Sequence, residues 1–254
     1  MTYCVGLDLK EGLVMLADSR TNAGVDDISI FSKLHVFEQP GTRMIALMTA
    51  GNLAITQAVV NLLQEGIENP KTGDIETIET VPSMFRAAQL VGEAVRRVYH
   101  SDGASLQAQG ISFDVSLLVG GQIQGRAMRL FHVYAAGNFI EATEDTPFLQ
   151  IGERKYGKPI LDRAVTPDTP LAEAIKLALI SMDSTLRSNL TVGMPIDLLV
   201  YRRDSYQVGL RYRITEEDPY FRMIRERWSQ ALRKAYRAIP QPDFWPGDGS
   251  PSEP

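Results

Sequence analysis

"TYCVGLDLKEGLVMLAD", residues 2–18, opens the chain with two apolar runs separated by Lys10, Glu11 and Gly12. In the first run Val5, Leu7 and Leu9 alternate with polar or small neighbours, the period-2 pattern of a half-buried strand. The second run, residues 13–18, reads as its hairpin partner across a plausible turn. Chain ends fray unless something ties them down. A strand that begins on the second residue would hold Thr2 rigidly at the end of a sheet, which makes the terminus itself a candidate for the working part.

Outward from this hairpin, "LHVFE" (34–38) and "RMIALMTA" (43–50) flank "QPGT", a stronger turn signal, and read as a second hairpin. The segment between the two hairpins, residues 19–32, is polar and reads as a loop. Helical periodicity follows: Ile55, Ala58, Val59 and Leu62 form one stripe, and Phe85, Ala88, Val91, Val95 and Val98 another. Residues 101–110 break the pattern. Strand character returns in "SFDVSLLVGG", "AMRLFHVYAAG", "FIEAT" and "FLQIG". A third helix carries Leu171, Ile175, Leu179, Met182 and Leu186, and "IDLLVY" and "YQVGLRYRI" supply two more strands. The last helix is expected from about Glu216 to Ala238, with Phe221, Ile224, Trp228 and Leu232 on one side. Its acidic start and basic end suit the helix dipole. This order of elements predicts an α+β chain, two packed sheets with helices outside, in a four-layer αββα sandwich. One domain is expected over residues 1–239. Seven of the fifteen residues from 240 to 254 are Pro or Gly, so a disordered tail is expected there.

Composition narrows the function classes. The chain has 254 residues, 44% hydrophobic and 22% charged, as in an ordinary globular protein. No apolar run approaches the ~18 residues of a spanning helix, and no basic segment leads into an apolar run as in a secretory signal. Cys4 is the single cysteine, which excludes an intrachain disulfide framework and suits a reducing cytoplasm. A net charge of −5 gives no global footprint for nucleic acid. His35, His100 and His132 show no metal-ligand spacing, and neither a metal nor a cofactor is expected. "GERKYGKP", residues 152–159, nearly matches a phosphate loop, but Pro159 stands where a magnesium-binding hydroxyl is required, so it reads as a strand-to-helix turn. Cys4 lacks a partner that would lower its pKa and reads as a small core residue.

Thr2 differs from these. A threonine hydroxyl is a poor nucleophile until a base takes its proton, and a terminal α-amine can be that base. The amine's pKa of ~7.7–8.0 lies near working pH, whereas a free lysine sits near ~10.4. Removal of Met1 is required first. Asp18 ends the second strand and Lys33 opens the third, so the hairpin geometry can gather Thr2, Asp18 and Lys33 at one sheet edge. The carboxylate would hold the ammonium, and the cation would favour the alkoxide.

At these residues the sequence resembles the proteasome β-subunit family, threonine-dependent N-terminal-nucleophile hydrolases. More narrowly, "MTYCV…ADSRTNAG…SMDSTLRSN" is similar to the bacterial proteasome-like Anbu branch, over roughly residues 2–212. The resemblance implies that Thr2 is the nucleophile, supported by Asp18 and Lys33, on the αββα sandwich typical of such hydrolases. It implies that Gly51 in "TAGN" supplies an oxyanion-hole N–H, that Arg20 braces a loop, and that Asp183 in "SMDS" orients the terminal amine. Three features depart from the pattern. Asn22 replaces the usual threonine in contact with substrate backbone, and Leu186 and Arg187 displace the expected Ser-Gly, leaving Ser188 as the nearest hydroxyl. Glu153 stands where another family serine is expected. Thr49 falls where the primary pocket keeps a specificity-setting residue, and its small polar side chain predicts modest selectivity for apolar residues. The implied activity is a cytoplasmic threonine-type peptidase or amide hydrolase, on a peptide or amide substrate, assembled with copies of itself into a ring or an open helical array. A non-catalytic assembly or binding protein that keeps the fold, and an amidase for a small non-peptide substrate, are the alternatives.

Overall fold

A computed structural model describes residues 2–22, 28–69 and 72–244. Its strands are β1 (Tyr3–Leu9), β2 (Gly12–Asp18), β3 (Arg20–Asn22), β4 (Ile28–Ile30), β5 (Leu34–Gln39) and β6 (Arg43–Gly51). Helix α1 (Leu53–Glu65), the short β7 (Ile67–Glu68) and β8 (Ile75–Glu76), and helix α2 (Met84–Ala108) come next. They are followed by β9 (Val115–Ile123), β10 (Arg129–Val133), β11 (Phe139–Glu141) and β12 (Phe148–Gly152). Helices α3 (Lys158–Ala164) and α4 (Leu171–Ser188), strands β13 (Ile196–Arg202) and β14 (Val208–Ile214), and α5 (Pro219–Arg237) complete the chain.

Two five-stranded antiparallel sheets, ordered β12-β1-β2-β13-β14 and β11-β10-β9-β6-β5, pack face to face. Helices α1 and α2 cover the second sheet, with Ile55, Val59, Val91 and Val95 packed on Leu47, Leu117 and Phe131. Helices α3, α4 and α5 cover the first, where Leu161, Leu179, Met182 and Phe221 meet Tyr3, Val5, Leu7 and Leu16. Between the sheets lie Cys4, Met15, Met48, Leu118, Leu130 and Leu199. The four layers expected from the element order are therefore the four layers found.

This layering revises the half-buried reading of the first strand. Both faces of β1 are buried, because alternate residues enter two different cores: Tyr3, Val5, Leu7 and Leu9 face the helices, and Cys4 faces the other sheet. Each buried Leu or Val contributes about 1.5–3 kcal/mol, against about 1–2 kcal/mol for ordering one residue of backbone. A terminal strand with a core on each face stays fixed where a one-faced strand would fray.

Three further boundaries differ from expectation. Helix α2 does not break at residue 101 but continues to Ala108. Gly103 is buried against the ring of Tyr99, and the amide of Ile111 closes on the Leu106 carbonyl, so packing overrides weak local propensity. The polar loop after β2 contains the small β3–β4 hairpin, in which Arg20 pairs with Ile30. In α5, Asp218 caps the helix by accepting from the Phe221 amide at 2.8 Å, so the helix starts at Pro219 rather than Glu216. Phe221 and Ile224 are buried, whereas Trp228 is only partly covered and Leu232 is half exposed. Of the tail expected from 240, residues 245–254 lie outside the described residues.

Candidate active site

The start of β1 lies where the two sheets open into a cleft with a cavity of about 680 Å³. Register brings the candidate residues there. Tyr3 pairs with Gly152 on β12, Cys4 pairs with Ala17 on β2, and Asp18 follows at the strand end. Thr2 is buried, and its carbonyl accepts from the Glu153 amide at 2.6 Å. Gly152 is needed for this contact. It adopts φ +78°, and a Cβ there would lie 2.0 Å from the Thr2 carbonyl oxygen.

Asp18 and Lys33 form the charged centre. Lys33 Nζ donates to Asp18 Oδ1 at 2.7 Å and to the Arg20 carbonyl at 2.7 Å. The Asp18 side chain is wholly buried and also accepts from the amides of Tyr3 (3.0 Å) and Gly193 (3.2 Å). Burial pushes its carboxyl up from the usual carboxylate range, while Lys33 and the two amides pull it down. A carboxylate so far from water needs a partner of this kind to stay charged. Lys33 and Thr2 line the same cavity.

Thr49, Ala50 and Gly51 on β6 line the cavity opposite Thr2, together with Leu53 and Thr56 of α1. Thr49 is buried and its amide donates to the Lys33 carbonyl at 3.0 Å, tying the floor of the cleft to the charged pair. Gly51 adopts φ +111°, and a Cβ there would sit 2.3 Å from the Asp114 carbonyl. Only glycine allows the backbone to turn at this point. Arg20 donates to the Leu190 carbonyl at 3.1 Å and lies against Gly193, in the loop from 190 to 193 that also supplies an amide to Asp18. Asn22 closes β3 through its pairing with Ile28.

Asp183 and Ser188, at the end of α4, are not among the residues that line the cavity. Asp183 is buried, but its two oxygens accept from Arg187 (3.3 Å) and from Arg225 on α5 (2.9 Å). Ser188 is exposed at the last position of α4 and makes no hydrogen bond to Thr2 or Glu153 among the described residues. Glu153 instead anchors the turn after β12. It accepts from Asn189 Nδ2 at 3.2 Å and from the Lys155 amide at 3.0 Å.

Profile comparison matches residues 2–200 to the family described as "Proteasome subunit". The chain belongs to that family. A relative, proteasome subunit beta 2 of Pyrobaculum calidifontis, is 26% identical over 77% of this chain and 86% of its own. Solved structures are nearer. An Anbu Gly-1 mutant from Hyphomicrobium sp. strain MC1 superposes with a TM-score of 0.88 at 51% identity, covering 96% of this chain and 100% of that one. Anbu, "ancestral beta-subunit", from Yersinia bercovieri gives 0.87 at 51% identity over 96% and 100%. The chain of a helical Anbu assembly from Pseudomonas aeruginosa gives 0.88 at 49% over 95% and 98%. Within the proteasome family the chain thus falls among the Anbu proteins.

Several side chains at the site were not singled out by motif. Tyr3 OH, fully buried, meets Ser181 Oγ at 2.9 Å and accepts from Gln150 at 2.8 Å, pinning β1 to α4 and β12. Asn189 holds Glu153. His132 faces the cleft and meets Ser116 at 2.6 Å, although its sequence spacing suggests nothing. Cys4 is buried, and its thiol is pushed well above the usual range by burial. The near-match to a phosphate loop leads into α3, where Lys158 is already paired with Asp162 at 2.6 Å.

Proposed function

We propose that the chain is a threonine-type peptidase or amide hydrolase whose nucleophile is Thr2, exposed as the N-terminal residue after loss of Met1. One observation carries the reading. A buried Lys33–Asp18 ion pair, at 2.7 Å and held by two backbone amides, lines or backs the same cleft as Thr2. Proteins rarely bury such a pair unless it has a task, since its desolvation cost often cancels its attraction.

In this reading the free α-amine of Thr2 takes the proton from Oγ as Oγ attacks the substrate carbonyl carbon, and Lys33 steadies the developing alkoxide. The carbonyl π electrons move onto oxygen, where the Gly51 N–H meets the oxyanion, a donor of a kind worth about 3–4 kcal/mol. Collapse breaks the C–N bond, and the leaving amine takes the proton from the α-ammonium. Water then attacks the acyl-threonine ester, giving up a proton to the same amine and restoring Oγ–H. Thr49 floors the acyl side, and Arg20 keeps the 190–193 loop in place. The reaction calls on no cofactor.

The Anbu relative described as a helical assembly supports self-association of this chain. The second half of α5 is the surface we assign to it, since Leu232 and Tyr236 are exposed there, as is Ile239 just past its end. No helix among the described residues is long and apolar enough to cross a membrane, and a cytoplasmic location is proposed.

A second reading, a fold-keeping assembly protein or a small-molecule amidase, draws on the α4 end. Both oxygens of Asp183 are taken by arginines rather than directed to the amine. Intact mass spectrometry with and without an epoxyketone probe separates Thr2 hydrolase chemistry of either kind from the assembly reading. Hydrolase chemistry predicts a chain beginning at Thr2 and one covalent adduct on it. Quantitative retention of Met1 with no adduct would leave the assembly reading.

A further inference from the structure

The cleft has a second half, beyond Thr2, that the chemistry above does not use. It is walled by β9, β10 and β12, whereas Thr49 and Gly51 lie on β6. His132 on β10 pairs in register with Leu118 on β9, so Ser116 lies diagonal to it on the same face. There Ser116 Oγ meets His132 Nε2 at 2.6 Å, and the imidazole packs at a tilt of 44° against Tyr134 with ring centroids 4.2 Å apart. Nδ1 of the same ring has no hydrogen-bond partner among the described residues. Arg154, two residues past β12, lines this half and has no ion pair or side-chain hydrogen bond among the described residues.

The other cations around the cavity are accounted for. Lys33 is paired with Asp18 and Arg20 is tied to the Leu190 carbonyl, while the Asp114 carboxylate, without an ion pair among the described residues, sits just before β9, beside Gly51. Arg154 is therefore the unmatched cation on the far wall. Burial and the nearby guanidinium push the His132 imidazole down to about 4, so the ring is neutral at working pH. In the tautomer whose Nε2 accepts from the Ser116 hydroxyl, Nδ1–H is left as a neutral donor.

We propose that this half of the cleft receives the leaving-group side of the substrate and selects a carboxylate there, held by Arg154 with His132 as a neutral hydrogen-bond donor. A planar guanidinium grips a carboxylate through two parallel hydrogen bonds, which gives geometric selection as well as attraction. A basic residue would meet like charge. An apolar one would strip water from Arg154 and leave the His132 donor unmatched, an outcome that binding sites discriminate against strongly. Two sources carry the required group: the free terminus of a short leaving peptide, and an acidic side chain just after the scissile bond.

The term leaving group rests on the threonine-hydrolase reading, but carboxylate binding does not, and the test keeps them apart. Three tripeptides serve as probes with the full assembled chain: Ala-Ala-Ala with a free carboxyl end, the same peptide amidated, and amidated Glu-Ala-Ala. Binding is measured by calorimetry, and cleavage is measured on longer peptides that share one acyl half and end in these three sequences. At least one carboxylate probe is expected to bind and be cleaved about tenfold better than the neutral amide, and which one identifies the source. Arg154→Ala should bring that ratio close to one, and Arg154→Lys should keep part of it. Equal affinities of the three probes for the wild-type chain, or a preference that survives in Arg154→Ala, overturn the proposal. If Thr2 resists the epoxyketone while the carboxylate preference in binding persists and depends on Arg154, the hydrolase reading fails and the carboxylate site stands.

Discussion

The β1–β2 hairpin carries a carboxylate near each end, Asp18 wholly buried and Asp8 partly buried, and the two have opposite surroundings. Asp18, at the Thr2 end, accepts from Lys33 at 2.7 Å and from two backbone amides. Asp8, at the far end, has Arg203 at 4.0 Å as its ion-pair partner. Burial raises both carboxyls, but only at Asp18 do three donors pull against it. At Asp8 burial dominates and the pKa rises from 3.8 to about 6. A buried acid with built-in donors is held in place by them. A partly buried acid with one distant cation is a cost the fold carries.

The sharpest way to break this contrast is to make Asp18 resemble Asp8. Lys33→Ala removes the cation from the cluster, and turnover of any peptide substrate should fall about a thousandfold or more, because such groups act as a unit. Assembly, followed by sedimentation, should persist. Near-normal rates in a folded Lys33→Ala chain would take the lysine out of the mechanism. Asp18→Asn leaves Lys33 buried without its counter-charge, and a loss of about 3–5 kcal/mol in urea unfolding is expected, together with inactivity. A variant as stable as wild type would mean that the pair is not desolvated.

At the other end, Asp8→Asn should stabilise the protein, and the sign follows from linkage. Because the folded-state pKa is the higher one, the native chain binds the Asp8 proton more tightly than the unfolded chain does. The stability gained from that proton is complete below about pH 4 and is lost as the pH rises through about 6. A rise from 3.8 to about 6 corresponds to at most about 3 kcal/mol. The variant's advantage should therefore be greatest at pH 7 to 8 and vanish near pH 4. A difference independent of pH would show that Asp8 is not titrating as described.

The α4 end gives the smaller effects. Arg225→Ala leaves buried Asp183 with Arg187 alone, at 3.3 Å. A cost of about 1–3 kcal/mol is expected, with kcat/KM changed less than about threefold if the role of Asp183 is to anchor α5. A collapse of kcat with unchanged stability would restore Asp183 to the amine-orienting role. Ser188→Ala, at an exposed helix end, should change melting temperature and kcat/KM by no more than the measurement error.

The sequence by itself determined the hairpin that begins at Thr2, the positions of Asp18 and Lys33 at strand ends, the glycine turn at Gly51 and the four-layer order of elements. These were legible because strand periodicity and turn chemistry are local, and antiparallel pairing turns spacing along the chain into adjacency in space. Tertiary structure alone decided which partners the side chains from distant elements would find. The end of α4 meets α5, so Asp183 is claimed by Arg225, 42 residues away in the chain, and Ser188 is left outside. β9 and β10 bring Ser116 and His132 together across a turn, and β12 presents Arg154 beside them, although none of the three belongs to a motif. Periodicity specifies which face of an element is buried. What that face is buried against depends on contacts between elements far apart in the chain, and those contacts exist only once the layers have packed.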